Sequence, residues 1–421
     1  MKRLLLLIIT LQSFSAIAST SSTADQNPLE NSTSQPRPLY DLAADVVAIH
    51  GNQEMRDELL KEFPGTLKNL QDTRWAHAEL VQTFSPKKGL IPHIALSTDG
   101  QTLYAAYDQK ITLLDTKNNL AKIASTQGDD RNTVQNFVVD KHGKIYIPNS
   151  DGAIYKFDEN LIHETTLYPH SIKDYPRQII SLALTPDDST LYSLIHSSLV
   201  EKWDLKTDSQ PLQGDLQKIR SNDDFEEQGQ INLENILRVS PDNKIVFILF
   251  NKLRPLSRDH FCIFLNSNLN SGYTFPLQHL ITSATFAPDG KLYLASSKGF
   301  IFSVNINHKI NSAFDSDFSF KIIKEIAGDE KAIIDLVVSM DGKFLFSASS
   351  THVKIWNIKN GLSHVGTLDI KTPNIFFNFT KLALSPDGTT LYVAVGNSIE
   401  VWKVPNSIEL PKCPDKITPQ E

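Results

Sequence analysis

Twelve histidines and two cysteines are the residues of this chain best suited to holding a metal or attacking a carbonyl, and their spacing gives neither chemistry a local frame. His93, His142, His196, His260, His279 and His352 are scattered, with no His-x-x-x-His or Cys-x-x-Cys pair to fix zinc. No Gly-x-Ser-x-Gly elbow, phosphate loop or Asp-x-Asp-x-Asp-Gly calcium loop occurs. The expectation is a protein without metal, cofactor or catalytic residue. Tyr107, Asp108, Asp151, His196, Arg254, Lys298, His352 and Asn397 remain as candidate contacts for a ligand. Each falls in a loop between apolar stretches, so what those stretches build decides whether the eight can meet.

One phrase recurs seven times: IALSTDGQTLYAAY from Ile94, then FVVDKHGKIYIPNS, LALTPDDSTLYSLI, LRVSPDNKIVFILF, ATFAPDGKLYLASS, LVVSMDGKFLFSAS and LALSPDGTTLYVAV. Each sets an apolar strand, a turn and a second apolar strand in a row. The turn anchors Asp99, His142, Asp187, Asp242, Asp289, Asp341 and Asp387 lie 43 to 55 residues apart, the period of a four-stranded propeller blade. Seven anchors predict an all-β, seven-bladed β-propeller. Gly after the anchor tolerates the positive φ of a tight turn, and Asp188 and Asn243 fill that slot where Gly is missing. Glu79 to Phe84 has strand composition and no repeat of its own, while the last repeat ends near Val404 without a fourth strand. A ring must be fastened to hide its open edges, so Glu79–Phe84 is expected as the outer strand of the blade containing Trp402. The eight loop residues then fall on the loops between second and third strands and those entering each blade, which crowd one face around the channel.

The ends of the chain read differently. Lys2 and Arg3, the apolar run Leu4 to Ile9 and Ala16-Ile17-Ala18 form the pattern of a cleaved signal peptide over residues 1–18, too short an apolar run to span a bilayer. Cleavage takes the net charge from −7 to −9 and implies export, to a periplasm or outside the cell. Mild acidity offers no field for a phosphate backbone, so no nucleic-acid partner is expected, and no later segment could span a membrane. Residues 19–38 read as a disordered linker, 39–77 as short helices, 79–404 as the propeller and 405–421 as a tail. Cys262 is expected as a small buried apolar residue and Cys413 as an exposed thiol; their pairing requires the tail to fold back. Lys206 to Asn235 and Ile310 to Ala332 lengthen two blades.

The third strands end in ITLLD, AIYKFD, LVEKWD, FCIFLN, FIFSVN, HVKIWN and IEVWKV, and here the chain resembles the WD-repeat propeller family, whose blades end that strand in Trp-Asp. Trp203-Asp204 keeps the pair; Trp356-Asn357, Trp402-Lys403 and Phe157-Asp158 approximate it. The family's Gly-His pair before each first strand is absent, so its buried Asp-His-Ser-Trp set is not expected in most blades, and apolar packing must hold them. The reading that follows is a non-catalytic, monomeric scaffold binding a protein or peptide on one face. An alternative is an enzyme, a channel-centred hydrolase or lactonase. A second resemblance is shorter: Pro38-Leu39 with Ala43 and Val47, then Leu60 to Leu67, looks like a SOCS box, implying that Leu39, Ala43 and Val47 form a partner helix of an adaptor delivered into a host cell.

Overall fold

The computed structural model describes residues 75–404 except 87–88, 127–135, 150–151, 169–178, 196–198, 207–211, 216–235, 252–259, 267–268, 270–271, 311–315 and 372–379. The expected signal peptide, linker, helices with Leu39, Ala43 and Val47, and tail with Cys413 lie outside these residues. Ala78–Val404 forms one compact unit, and its described residues are all strand and turn.

The strands pair into seven antiparallel sheets of four. Outer strand β1 (Glu79–Phe84) comes first in the chain. The first sheet is β2 (His93–Leu96), β3 (Thr102–Tyr107), β4 (Lys110–Asp115) and β5 (Ala121–Ser125). The second is β6 (Val138–Val139), β7 (Ile145–Pro148), β8 (Ile154–Phe157) and β9 (His163–Leu167). The third is β10 (Ile179–Leu184), β11 (Thr190–Ile195), β12 (Leu199–Asp204) and β13 (Leu212–Asp215). The fourth is β14 (Ile236–Val239), β15 (Ile245–Asn251), β16 (His260–Asn266) and β17 (Gly272–Leu277). The fifth is β18 (Ile281–Phe286), β19 (Leu292–Ser296), β20 (Phe300–Ile310) and β21 (Ser316–Ala327), and the sixth is β22 (Asp335–Val338), β23 (Phe344–Ala348), β24 (His352–Asn357) and β25 (Ser363–Asp369). The seventh runs β26 (Thr380–Leu384), β27 (Thr390–Val395), β28 (Ser398–Lys403) and then β1.

That last pairing is the predicted fastening: Glu79 faces Lys403, Leu80 faces Trp402 and Phe84 faces Ile399. The inner strands β2, β6, β10, β14, β18, β22 and β26 lie side by side in that order, and β26 returns to β2. This is an all-β propeller. Its core sits between sheets. Tyr104 fills the space between the first and second, Tyr192 that between the third and fourth, Tyr293 the fifth and sixth, and Tyr392 the seventh and first. Each tyrosine stands on a second strand with its ring among Leu, Ile and Ala side chains, and burial pushes the hydroxyls of Tyr104, Tyr192 and Tyr293 up to about 12. Cys262 is fully buried in the interface of the fourth and fifth sheets, where burial pushes its thiol up to about 12.

The turns behave as their residues predict. Gly100, Gly143, Gly290, Gly342 and Gly388 have φ between 65° and 84°, and the substitutes Asp188 and Asn243 adopt 56° and 59°. The anchor carboxylate then caps the turn, accepting the main-chain N–H two residues on at Gln101 (3.0 Å), Ser189 (3.2 Å), Lys244 (3.2 Å), Lys291 (3.0 Å), Lys343 (3.0 Å) and Thr389 (3.0 Å). The second sheet departs from this. With His142 at the anchor, Asp140 takes over from two residues upstream, accepting from His142 N (2.9 Å) and Lys144 N (2.8 Å). One difference of length was not foreseen in form: the extension between Ile310 and Ala332 is a long hairpin, β20 and β21 pairing as far as Ile310 with Ser316.

Candidate functional site

Alternation of strand direction sends every turn between a second and a third strand to the same end of the ring. Among the described residues that end carries Tyr107 and Asp108, Lys298, His352 and Asn397. Tyr107 is half-buried, its ring 6.3 Å from that of Phe84. Asp108 and Gln109 form the turn itself with φ of 52° and 62°, and Gly89 presses on it so closely that a Cβ there would stand 2.9 Å from Asp108 N. Asn397 follows Gly396, whose carbonyl accepts from Ile91 N at 2.7 Å and so ties the seventh sheet to the entry of the first. Lys298 is exposed beside Gly299, where the carbonyls of Asp329 and Lys331 leave no room for a Cβ. His352 Nδ1 lies 2.8 Å from Thr351 Oγ1, within hydrogen-bond reach, and its Nε2 lies 3.7 Å from Asp369 Oδ1. Two neighbourhoods result. Tyr107, Asp108 and Asn397 lie on the adjacent first and seventh sheets, Lys298 and His352 on the adjacent fifth and sixth. Asp151, His196 and Arg254 lie outside the described residues.

A second set of polar residues stands on or beside the inner strands, and reading the loops missed it. Six positions before each turn anchor stand His93, Asn136, Ser181, Ile236, Ser283, Asp335 and Lys381, polar in six sheets of seven although the strands around them are apolar. Inner strands are edge strands, with main-chain groups that no further strand pairs. Side chains of one sheet serve the main chain of the next. Asp335 Oδ2 accepts from Leu382 N at 2.9 Å, His93 hydrogen-bonds the main chain of Phe137, and Arg238 Nε, two positions further along its strand, donates to Ala284 O at 3.0 Å. Leu382, Phe137 and Ala284 all stand five before their own anchors, so the three bonds reach the same main-chain position of the next sheet, from differing donors and acceptors. Ser283 Oγ adds a bond to Asp335 Oδ1 at 3.3 Å, and Thr380 Oγ1 one to Ser349 O at 3.3 Å. The signal was available as a register: a polar residue six positions before the turn anchor in six repeats of seven.

Electrostatics distinguish one member of this belt. Burial first, then the charges of Lys381 and Arg238, lower His93 to about 3, with its bond to Phe137 opposing. Lys381 belongs to the seventh sheet and Arg238 to the fourth, so cations from two sheets act on an imidazole of a third.

Parts of the tryptophan network survive. Trp203 Nε1 donates to Ser193 Oγ (3.0 Å), which reaches Glu201 Oε2 (3.4 Å); Trp356 Nε1 donates to Ser347 Oγ (2.9 Å). Trp402 Nε1 donates to Glu400 Oε2 (3.1 Å), whose other oxygen accepts from Lys371 N (2.7 Å). Residues 320–357 match the family model described as WD domain, G-beta repeat. The match begins within β21 and closes on Trp356-Asn357, so it spans the outer strand of one sheet and the first three of the next. No curated protein matches the chain. Fold and match together define a WD-repeat-like propeller.

Proposed function

We propose that the chain is a seven-bladed WD-repeat-like propeller, exported after removal of residues 1–18, that works as a monomeric, non-catalytic scaffold for a protein or peptide. The observation that carries the reading is the end of the ring described above. Its turns are fixed by close main-chain packing at Gly89 and Gly299, and they present Asp108, Lys298 and Asn397 to solvent from a rigid frame. A surface ordered before binding loses little entropy when a partner arrives. Among the described residues no group of three His, Cys, Asp or Glu side chains is placed to hold a metal.

Crosslinking of the full chain in its producing cells, compared with an Asp108→Lys/Asn397→Lys variant and with Met340→Lys at the opposite end, tests this. The expected result is one captured protein lost by the double variant and kept by Met340→Lys. Turnover of ester or lactone substrates that disappears in His196→Ala or Arg254→Ala would replace the scaffold by an enzyme. An amino terminus at Ser19 in the exported protein checks the cleavage.

A further inference from the structure

The outer strands β5, β9, β13, β17, β21, β25 and β1 form the rim of the ring, and each ends its sheet with a row of main-chain N–H and C=O groups that no other described strand pairs. Each row is a place where a foreign strand could add. Five of the seven outer strands break step with their neighbours, and all at one point of the repeat. The register skips a residue of β5 between the partners of Leu113 and Leu114, and of β9 between those of Lys156 and Phe157. It does the same in β21 opposite Ser303 and Val304, in β25 opposite Ile355 and Trp356, and in β1 opposite Val401 and Trp402. The second residue of each pair stands at the tryptophan position of its third strand.

The residues left over are Ile123, Glu164, Ile323, Val365 and Val81. Ile123 and Val81 are 55% and 52% exposed, so core packing does not explain them. An extra residue kinks the strand and raises its twist, and a straight strand laid against it loses main-chain bonds. The two outer strands without a skip are blunted by other means. β13 has only four residues, and β17 carries Pro276 opposite Phe261, with no N–H to offer. β21 runs on past its skip to Ser316, and there the exposed Lys321 supplies a charge.

We propose that the rim is built to refuse strand addition: the skipped residues, the short β13 and Pro276 keep an extended segment, including one from a second copy of this chain, from lengthening a sheet sideways. Docking is thereby left to the ends of the ring. This goes beyond the scaffold reading and holds whichever partner an end takes.

Deleting Ile123 gives β4 and β5 an unbroken register with every other pair unchanged, and Pro276→Thr returns an N–H to β17. These two full-length variants are compared with wild type and with Ile123→Ser, which keeps the extra residue but not its apolar side chain. Light scattering over a concentration series reads self-association, and amide hydrogen exchange locates it. Wild type and Ile123→Ser should stay single. The deletion and Pro276→Thr should associate at concentrations about tenfold or more below any at which wild type does, with exchange slowed in β5 and in β17 respectively. Should the deletion fail to fold, Pro276→Thr and wild type decide. Folded variants as monomeric as wild type, association without slowed exchange in the altered strand, or a wild type that pairs through its own outer strands would each overturn the proposal.

Discussion

At the scale of single residues, left-handed backbone and crowding separate cleanly at two glycines. Gly388 has φ of 68° with nothing within 4 Å of a Cβ, so Gly388→Ala meets only the backbone penalty, about 1–2 kcal/mol. Gly299 has φ of 80°, and a Cβ there would collide with Asp329 O. Urea unfolding should show Gly299→Ala at least about 2 kcal/mol worse than Gly388→Ala; equal losses would mean that the turn at Gly299 opens freely. The turn slots were legible because positive φ has so few tolerant residues, which is why Asp188 and Asn243 could be read as stand-ins for glycine. His142 was legible only by position: the carboxylate that caps its turn is Asp140, and nothing local says that the capping role has moved. The roles of His93, Asp335 and Arg238 escaped because their partners are main-chain atoms of the next sheet, which no side-chain motif records.

Among the elements, β1 is the one whose removal has consequences out of proportion to its six residues. It covers β28 and, through Gln82 Nε2 to Asn119 O at 2.7 Å, touches the first sheet as well. A chain lacking Glu79–Phe84 leaves β28 an open edge carrying Trp402. It should unfold less cooperatively and self-associate, seen as a broadened urea transition and an earlier peak in size-exclusion chromatography; an unchanged monomer would show the fastening to be dispensable. This element was legible from bookkeeping of strands alone, one orphan at the start and one vacancy at the end. The reach of β20 and β21 was not. Asn307-His308-Lys309 and Ser316-Asp317 interrupt the apolar alternation, and strand propensity gives no sign that two strands will outrun the β19 beside them.

For the whole molecule, acid is the revealing variable. His93 is held far below the usual imidazole range, so the unfolded chain takes up a proton there first and stability declines as pH falls from about 6.5 towards 3. The turn carboxylates act at lower pH. The hydroxyl of Thr185 and then Ser189 hold Asp187 down to about 2, and Ser97 with the N–H of Gln101 holds Asp99 below the ordinary range. Their stabilisation is present above the ordinary carboxylate value of about 4 and is lost as pH falls through the folded values. Urea midpoints measured from pH 7 to pH 2 should therefore fall in two phases, and His93→Gln should remove the upper one. A single phase near pH 4 in the wild type would contradict the lowered titration of His93. The fold class was legible because seven copies of one phrase average out local ambiguity, whereas the polar register of the inner strands changes residue type from copy to copy and so did not read as part of the phrase. The pairing of Glu79 with Lys403 also sets a clock. These partners are 324 positions apart, so a ribosome adding roughly 5–20 residues per second leaves the first strand waiting about 15–65 s for its mate. The circle is completed only once Lys403 has been made, and until then the waiting first strand must be kept from other nascent chains.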